Sequence, residues 1–157
     1  MRIAIDAAWA CGRRTGTGNY TYHLVRALLD RPSPHEWVLY FRECCPSGNP
    51  LYALAEGRAE RRILPARSTL WRVLFRLGPA ARQDHVDLLL SPAYFLPLRA
   101  GSIPRVVTFF DLMVYRLQRE WIRPGRILDF LGLRLLLPWA ARRADHVVTI
   151  SDSTRRD

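Results

Sequence analysis

The feature that most constrains this chain is the repeated alternation of short apolar runs with longer helical patterns. Most of the apolar runs are continuous stretches of Val, Ile and Leu, which is typical of strands covered on both faces of a parallel sheet. We predict strands at Arg2–Asp6, Trp37–Phe41, Arg61–Leu64, Asp87–Ser91, Arg105–Phe109 and His146–Ile150. Strands that alternate with helices in this way predict an α/β fold with a doubly wound, mostly parallel sheet.

Helical periodicity fills several of the gaps between these strands. Gly18–Leu29 repeats apolar residues every three to four positions, and Ser68–Leu77 mixes apolar residues with arginines. Pro124–Leu137 is apolar on nearly every side. Pro138 is expected to end or kink this last helix, because a proline inside a helix removes a backbone hydrogen bond. Pro46–Gly57 is rich in Gly, Pro and Asn and is predicted to be a loop.

Composition limits the kinds of partner. The chain has 157 residues, enough for one domain, and a formal net charge of +10 in which all 24 basic residues are arginine. Arginine pairs with phosphate and carboxylate, so nucleic acid, anionic lipid and phosphorylated ligands are all candidate partners. A GC-rich gene accounts for arginine in place of lysine, but it does not account for the excess of positive charge.

Other classes of protein are disfavoured. Cys11, Cys44 and Cys45 contain no Cys-x-x-Cys pair, which argues against a zinc site or a disulfide framework and fits a reducing cytoplasm. The histidines show no ligand spacing, so we expect no metal site. The most apolar stretch, Ile127–Ala141, is interrupted by charged residues and a proline and is too short to span a membrane.

A glycine-rich segment opens the first predicted helix. Its residues are Gly16, Thr17, Gly18, Asn19 and Tyr20. Glycines let backbone N–H groups approach a ligand closely, and a helix N-terminus adds positive potential suited to phosphate. The dinucleotide fingerprint is not matched, because Thr21 holds the third glycine position. Two interpretations stay open, a phosphate-binding loop and a flexible loop that caps a helix.

Two more candidate sites follow predicted strands. Asp111 comes after Arg105–Phe109, where a parallel sheet binds its ligands, although it is equally typical of a turn or cap. Ser151, Ser153 and Arg155 follow the last strand, and their polar groups could hold an anion. Helix capping is the simpler account of the two serines.

The helix Ser68–Leu77 carries Trp71 and Phe75 among arginines. If exposed, it would resemble a helix that lies on a membrane surface. If buried, it is a helix that faces the core. Because most amphipathic helices in soluble domains pack inward, the core interpretation is favoured.

Four parts of the chain follow one another in the order of one known set of motifs. Met1–Asp6 and Gly16–Leu28 give a strand, a Gly-x-Gly-Asn-Tyr loop and a helix, and Asp87–Pro92 matches a later strand. Val106–Leu112 resembles a Val-Thr-x-His-Asp-Leu motif, and Ala144–Asp157 is similar to Ala-Asp-x-Val-(Ile/Val)-Thr-Val-Ser-x-x-Ser-x-x-Asp. Together these resemble the N-terminal domain of group 1, or family 4, retaining glycosyltransferases. The ordered set covers the whole chain and is far more specific than any one motif.

This resemblance implies a GT-B fold, in which two Rossmann-like domains enclose a cleft. Residues 1–157 would be the acceptor-side N-terminal domain. The family binds the donor on a C-terminal domain that carries a Glu-x7-Glu motif, and no such segment occurs here, so we expect a truncated chain that is inactive alone. The implied reaction is hexosyl transfer from a nucleotide-diphosphate sugar to a glycan or lipid-linked acceptor in polysaccharide or cell-envelope biosynthesis. No cofactor or metal is expected.

The resemblance also assigns residues. Gly16 and Gly18, with the rest of Gly16–Tyr20, would approach the donor diphosphate. Asp111 would be the catalytic residue beside the reacting sugar, and Ser151 and Ser153 would lie near the cleft. The implied location is the cytoplasm, including an anionic membrane contact at the inner face of the plasma membrane.

Phe110 departs from the motif, which has a histidine before the aspartate. A phenyl ring cannot form a hydrogen bond with a sugar hydroxyl, so either this subgroup works without the histidine or this copy is impaired. The rival class is a stand-alone basic α/β module that binds nucleic acid or an anionic membrane. Because the arginines are dispersed and no nucleic-acid motif is present, we expect no nucleic-acid partner.

Overall fold

The parallel sheet is confirmed by a computed structural model, which describes residues 1–11, 15–43, 45, 48–66, 68–112, 115 and 127–156. Six strands in this part of the chain form one sheet in the order β3-β2-β1-β4-β5-β6, with every neighbouring pair parallel. The strands are β1 Arg2–Asp6, β2 Glu36–Phe41, β3 Glu60–Ile63, β4 Leu88–Ser91, β5 Arg105–Phe109 and β6 His146–Thr149. The chain winds outward to β3 and then returns to β4, so the sheet is doubly wound.

Helices cover both faces of this sheet. They are α1 Gly16–Asp30, α2 Pro50–Leu54, α3 Thr69–Trp71, α4 Gly78–Gln83, α5 Ile127–Arg143 and α6 Asp152–Arg156, with a 3-10 turn at Ala7–Ala10 and a π-helical segment at Arg72–Leu77. The segments α3, π-helix and α4 follow each other without a break. They make one helix that is longer than the predicted Ser68–Leu77.

Adjacent residues along a strand contribute to the hydrophobic core on opposite faces of the sheet. Ile5 packs with Val25 of α1 and Leu51 of α2 on one face of the sheet. Ala4, its neighbour in β1, packs on the other face with Val73 of the π-helical segment and others from the same helix. Because successive side chains of a strand point to opposite faces, both must be apolar when both faces are covered. This is why the strands read as continuous apolar runs.

The prediction of a loop over Pro46–Gly57 was wrong for Pro50–Leu54, which form α2. Asn49 caps this helix, since its Oδ1 accepts hydrogen bonds from Leu51 N at 3.0 Å and Tyr52 N at 3.3 Å. Pro50 occupies the first turn, where a missing N–H costs nothing. Gly, Pro and Asn therefore mark the start of a helix here as well as a loop.

Pro138, which was expected to end or kink its helix, does not end it, because α5 continues to Arg143. Proline has no N–H for the carbonyl oxygen of Arg134, four residues earlier. Tyr115 Oη donates a hydrogen bond to that oxygen at 2.8 Å, so the carbonyl keeps a partner. Residues 124–126 of the predicted helix lie outside the described part of the chain. No helix in the described residues is long and apolar enough to cross a bilayer.

Gly78→Ala should destabilise the fold by about 1–3 kcal/mol, because the added methyl group overpacks a tight contact. A Cβ at Gly78 would lie 2.4 Å from the carbonyl oxygen of Arg99, which is backbone and cannot move aside easily. Gly132→Ala in α5 is the matched control, since an added Cβ there meets none of the described residues within 4 Å. In urea unfolding, the free energy of unfolding should fall for Gly78→Ala and rise by about 0.5–1 kcal/mol for Gly132→Ala. Equal midpoints would contradict the close approach.

Candidate functional site

The carboxyl ends of β1, β4, β5 and β6 lie along one edge of the sheet, and the predicted site residues are found there. Since all the strands are parallel, the segments that follow them meet at this edge. The structure brings together Tyr20 of α1, Tyr94 after β4, Phe110 and Asp111 after β5, and Thr154 of α6. Of these, Tyr94 and Thr154 were not predicted from the sequence.

Phe110 lies between two tyrosine rings. The Phe110 and Tyr20 ring centroids are 5.1 Å apart with planes at 86°, and those of Phe110 and Tyr94 are 5.6 Å apart at 61°. Edge-to-face pairs of this kind add stabilisation beyond the burial of area. Tyr20 Oη also lies 3.4 Å from Thr108 Oγ1 in β5. Phe110 therefore joins the first turns of α1 to the segment after β4.

Asp111 is exposed and faces a tyrosine hydroxyl. Tyr94 Oη donates a hydrogen bond to Asp111 Oδ2 at 3.3 Å. Burial of the phenol, and then the nearby charge of Asp111, raise the pKa of Tyr94 to about 12. Tyr94 thus stays protonated and keeps its donor directed at the carboxylate throughout the neutral range.

Asp111→Asn should lower the pKa of Tyr94 towards 10 but leave it above that value, because burial is the larger cause of the shift. In the wild type the unfolded state loses this proton first. The stability that Tyr94 contributes is therefore fully present below pH 10 and is lost as the pH rises to about 12. The difference in tyrosinate absorbance between a protein and its Tyr94→Phe counterpart isolates the titration of Tyr94. It is measured in the wild-type and in the Asp111→Asn background. An unchanged pKa in Asp111→Asn would contradict the contact.

The N-terminus of α6 is tied to the same edge. Ser151 Oγ accepts a hydrogen bond from Thr154 N at 3.2 Å, which confirms the capping account of this serine. Thr154 Oγ1 donates to the carbonyl oxygen of Phe110 at 3.0 Å, so the cap also fixes the backbone before Asp111. Ser153 is exposed beside this cap. The Ser-x-x-Thr spacing was a visible signal for the cap, but not for the bond to Phe110.

The glycine segment forms the first turns of α1, which begins two residues before the predicted start. Thr15 at the N-cap makes no side-chain hydrogen bond to the helix. Gly16 and Asn19 are exposed, and an added Cβ at Gly16 would meet nothing within 4 Å. Packing within the described residues therefore does not demand a glycine at position 16. A phosphate contact at this turn stays a prediction.

A buried ion pair supports the centre of the edge. Arg72 Nη2 lies 2.7 Å and 2.8 Å from the two carboxylate oxygens of Asp6, and the two side chains are 1% and 0% exposed. Asp6 Oδ1 also accepts a hydrogen bond from Ala8 N at 3.3 Å, which caps the 3-10 turn after β1. The pair thus links the end of β1 to the helix between β3 and β4.

The core interpretation of this helix is confirmed for Val73 and Leu77, which pack on the sheet. It was wrong for Trp71 and Phe75, because both rings are exposed while Arg72 points inward. The physical reason is Asp6, whose carboxylate compensates the buried guanidinium. The inward face is completed by Val73, Leu74 and Leu77.

An open groove of about 630 Å³ lies beside the edge, between β5, β6, α5 and α6. Its walls are mostly apolar and include Phe109, Leu112, Leu137 and Val147, and Arg155 is the charged residue among the described lining. Such a surface suits a ligand that has both an apolar part and an anionic part. Among the described residues no group of three or more His, Cys, Asp and Glu could hold a metal ion.

The structure defines an α/β domain with a doubly wound parallel sheet. The family model described as Glycosyltransferase Family 4 matches residues 14–157, which is most of the chain. The chain therefore belongs to glycosyltransferase family 4. Comparisons with the curated proteins and with the solved structures found no match.

Proposed function

We propose that residues 1–157 form the acceptor-side N-terminal domain of a retaining GT-B glycosyltransferase. The reaction would transfer a hexose from a nucleotide-diphosphate sugar to a glycan or lipid-linked acceptor, in polysaccharide or cell-envelope biosynthesis and without a cofactor. The observation that carries the proposal is the meeting of the first turn of α1, Asp111 and the α6 cap at one sheet edge in a chain of this family. Donor binding would be completed by a second domain.

The residues at the edge suit distinct tasks. The N-terminus of α1, which has no side-chain cap, offers N–H groups and positive potential to the donor diphosphate. The carboxylate of Asp111 can accept hydrogen bonds from sugar hydroxyls and stabilise positive charge that develops on the reacting sugar. Tyr94 would hold this carboxylate in place. Phe110 contributes no hydrogen bond, so in this proposal its role is to fix Tyr20 and Tyr94.

The groove supports a lipid-linked acceptor. Its lining includes Leu112, directly after Asp111, and combines apolar walls with the guanidinium of Arg155. A lipid-linked acceptor carries an apolar chain and an anionic phosphate, which match those two features. On this proposal the protein works in the cytoplasm, at the inner face of the plasma membrane.

The test is sugar transfer by the protein expressed with any coding sequence that continues past residue 157 in its gene. Purified protein is given a panel of labelled nucleotide-diphosphate sugars together with a membrane lipid extract or soluble glycans. The expected result is label transferred to one acceptor class from one donor, with the anomeric configuration retained. A well-folded protein that neither transfers nor hydrolyses any donor of the panel would overturn the proposal.

A further inference from the structure

Three exposed apolar side chains lie together on the outside of the helix between β3 and β4. Trp71, Phe75 and Leu98 are 54%, 39% and 41% exposed, and we call them the aromatic surface. The Trp71 and Phe75 ring centroids are 4.3 Å apart. Leu98 N donates a hydrogen bond to Leu74 O at 3.0 Å, which holds Leu98 beside the turn that carries Phe75.

Folding of the domain does not account for this surface. The inward side of the same helix is already filled by Val73 and Leu77, which are fully buried against the sheet. Even a charged residue, Arg72, is turned inward at the cost of a buried ion pair. An exposed pair of large aromatic rings gains free energy only when another apolar phase covers it.

The two chain segments that carry the aromatic surface contain charged residues of one sign only. Residues 65–83 and 92–110 contain no Asp or Glu. Arg76, adjacent to Phe75, and Arg99, adjacent to Leu98, are both exposed. Arg82, further along the same helix, is exposed as well. A positive rim around an apolar centre complements a surface that is anionic outside and apolar beneath.

We propose that the aromatic surface docks on an anionic lipid bilayer, with Trp71 and Phe75 in the headgroup region and Arg76 and Arg99 against anionic headgroups. Tryptophan favours this depth because its ring is apolar and its N–H stays hydrated. Basic residues next to an apolar helix face add electrostatic attraction that depends on the lipid. The choice of a membrane as partner rests on the proposed function, in which the acceptor is lipid-linked. The docking itself requires no sugar transfer.

The aromatic surface lies on the helix that follows β3. This helix starts at the carboxyl ends of the strands, as Asp6 and Asp111 do. Docking through Trp71 and Phe75 would therefore hold the ligand-binding edge close to the bilayer. A lipid-linked acceptor could then reach the edge without leaving the membrane. This gives the exposed rings a use that the fold alone does not provide.

The experiment is vesicle flotation of the purified chain with Trp71→Ser/Phe75→Ser as the main variant. Wild type should float with vesicles of phosphatidylglycerol and phosphatidylcholine at low salt, and much less with phosphatidylcholine alone. The double variant should lose roughly tenfold or more of its partition coefficient, since two ring anchors are removed. Leu135→Ser is the matched control, because Leu135 is 75% exposed on α5 and should float as wild type does.

A second variant separates charge from apolar insertion. Arg76→Gln/Arg99→Gln should weaken the preference for anionic vesicles and reduce its dependence on salt, while the rings still insert. Urea unfolding of each variant should show that it is folded under the flotation conditions, so that a loss of flotation is not a loss of the fold.

Several outcomes would overturn the docking surface. These are equal flotation with neutral and anionic vesicles, unchanged flotation of Trp71→Ser/Phe75→Ser, or an equal loss in Leu135→Ser. Binding of single-stranded RNA that is lost in the double variant, while flotation is kept, would assign the surface to nucleic acid instead. Because flotation uses no donor sugar, its failure is distinguishable from a failure of transfer to soluble glycans.

Discussion

Arg72→Met should lower the free energy of unfolding by about 3–5 kcal/mol, because it leaves the carboxylate of Asp6 buried without its counter-charge. Both side chains are almost fully removed from solvent, and Nη2 of Arg72 contacts both oxygens of Asp6. A typical domain has only about 5–15 kcal/mol of stability, so the loss would be a large part of the total. Urea denaturation followed by circular dichroism, with the slope checked for two-state behaviour, measures it.

The double variant Asp6→Asn/Arg72→Met distinguishes stability lost through the unpaired carboxylate from stability lost through packing. Among the described residues, Nε and Nη1 of Arg72 have no hydrogen-bond partner, so the buried guanidinium is incompletely satisfied. Removing both charges should therefore recover most of the stability lost in Arg72→Met, since Asn still offers an oxygen to Ala8 N. Arg62→Met is the surface control, because Arg62 is half exposed and should cost about 0–1 kcal/mol. A double variant as unstable as the single one would contradict the argument.

The pair also shows where reasoning from the sequence reaches its limit. Periodicity places Trp71 and Phe75 among the apolar residues of a helix and Arg72 among the polar ones, which predicts the opposite burial. What decides the orientation is Asp6, 66 residues away along the chain, together with the π-helical geometry that begins at Arg72. Neither a distant carboxylate nor a change of helical pitch is visible in a local pattern.

The strands were predicted well for the opposite reason. A strand covered on both faces needs apolar residues at every position, as Ala4 and Ile5 show. This requirement produces a continuous apolar run, which is visible in the local sequence. β1 and β5 match their predicted bounds, and the other strands agree within one residue at each end. Once the strands are parallel and in order, the position of Asp111 and Ser151 at one edge follows from topology.

The contacts around Asp111 could not be predicted in the same way. Tyr94 lies in an irregular segment after β4 and has no periodic or motif signal. It meets Asp111 because β4 and β5 are neighbours in the sheet. Phe110 reads in the sequence as the loss of a histidine. In the structure it packs between Tyr20 and Tyr94. Predicting this role would require knowing how three separate segments of the chain come together.

Asp111→Asn should lower kcat/KM for sugar transfer by about 100-fold or more, because removal of one preorganised charge opposite a developing charge typically costs that much. Asparagine has nearly the same shape and still accepts a hydrogen bond from Tyr94 Oη, so the fold and the aromatic contacts of Phe110 should be kept. The measurement is the initial rate of transfer from the donor identified with the wild type, over a range of donor and acceptor concentrations. The fall should be in kcat more than in KM, since in the proposed function the charge acts mainly on the transition state.

Two further variants make this result specific to Asp111. Tyr94→Phe removes the hydroxyl that contacts Asp111 Oδ2 and should cost about tenfold or less, because the carboxylate loses one positioning bond of ordinary strength but keeps its charge. Asp87→Asn makes the same chemical change at the opposite edge of the sheet, where Asp87 accepts a hydrogen bond from Arg2 N at 2.6 Å. It should leave the rate of transfer unchanged. If Asp111→Asn kept the wild-type rate, or if Asp87→Asn lost as much, the catalytic edge would not be at the ends of β4 and β5.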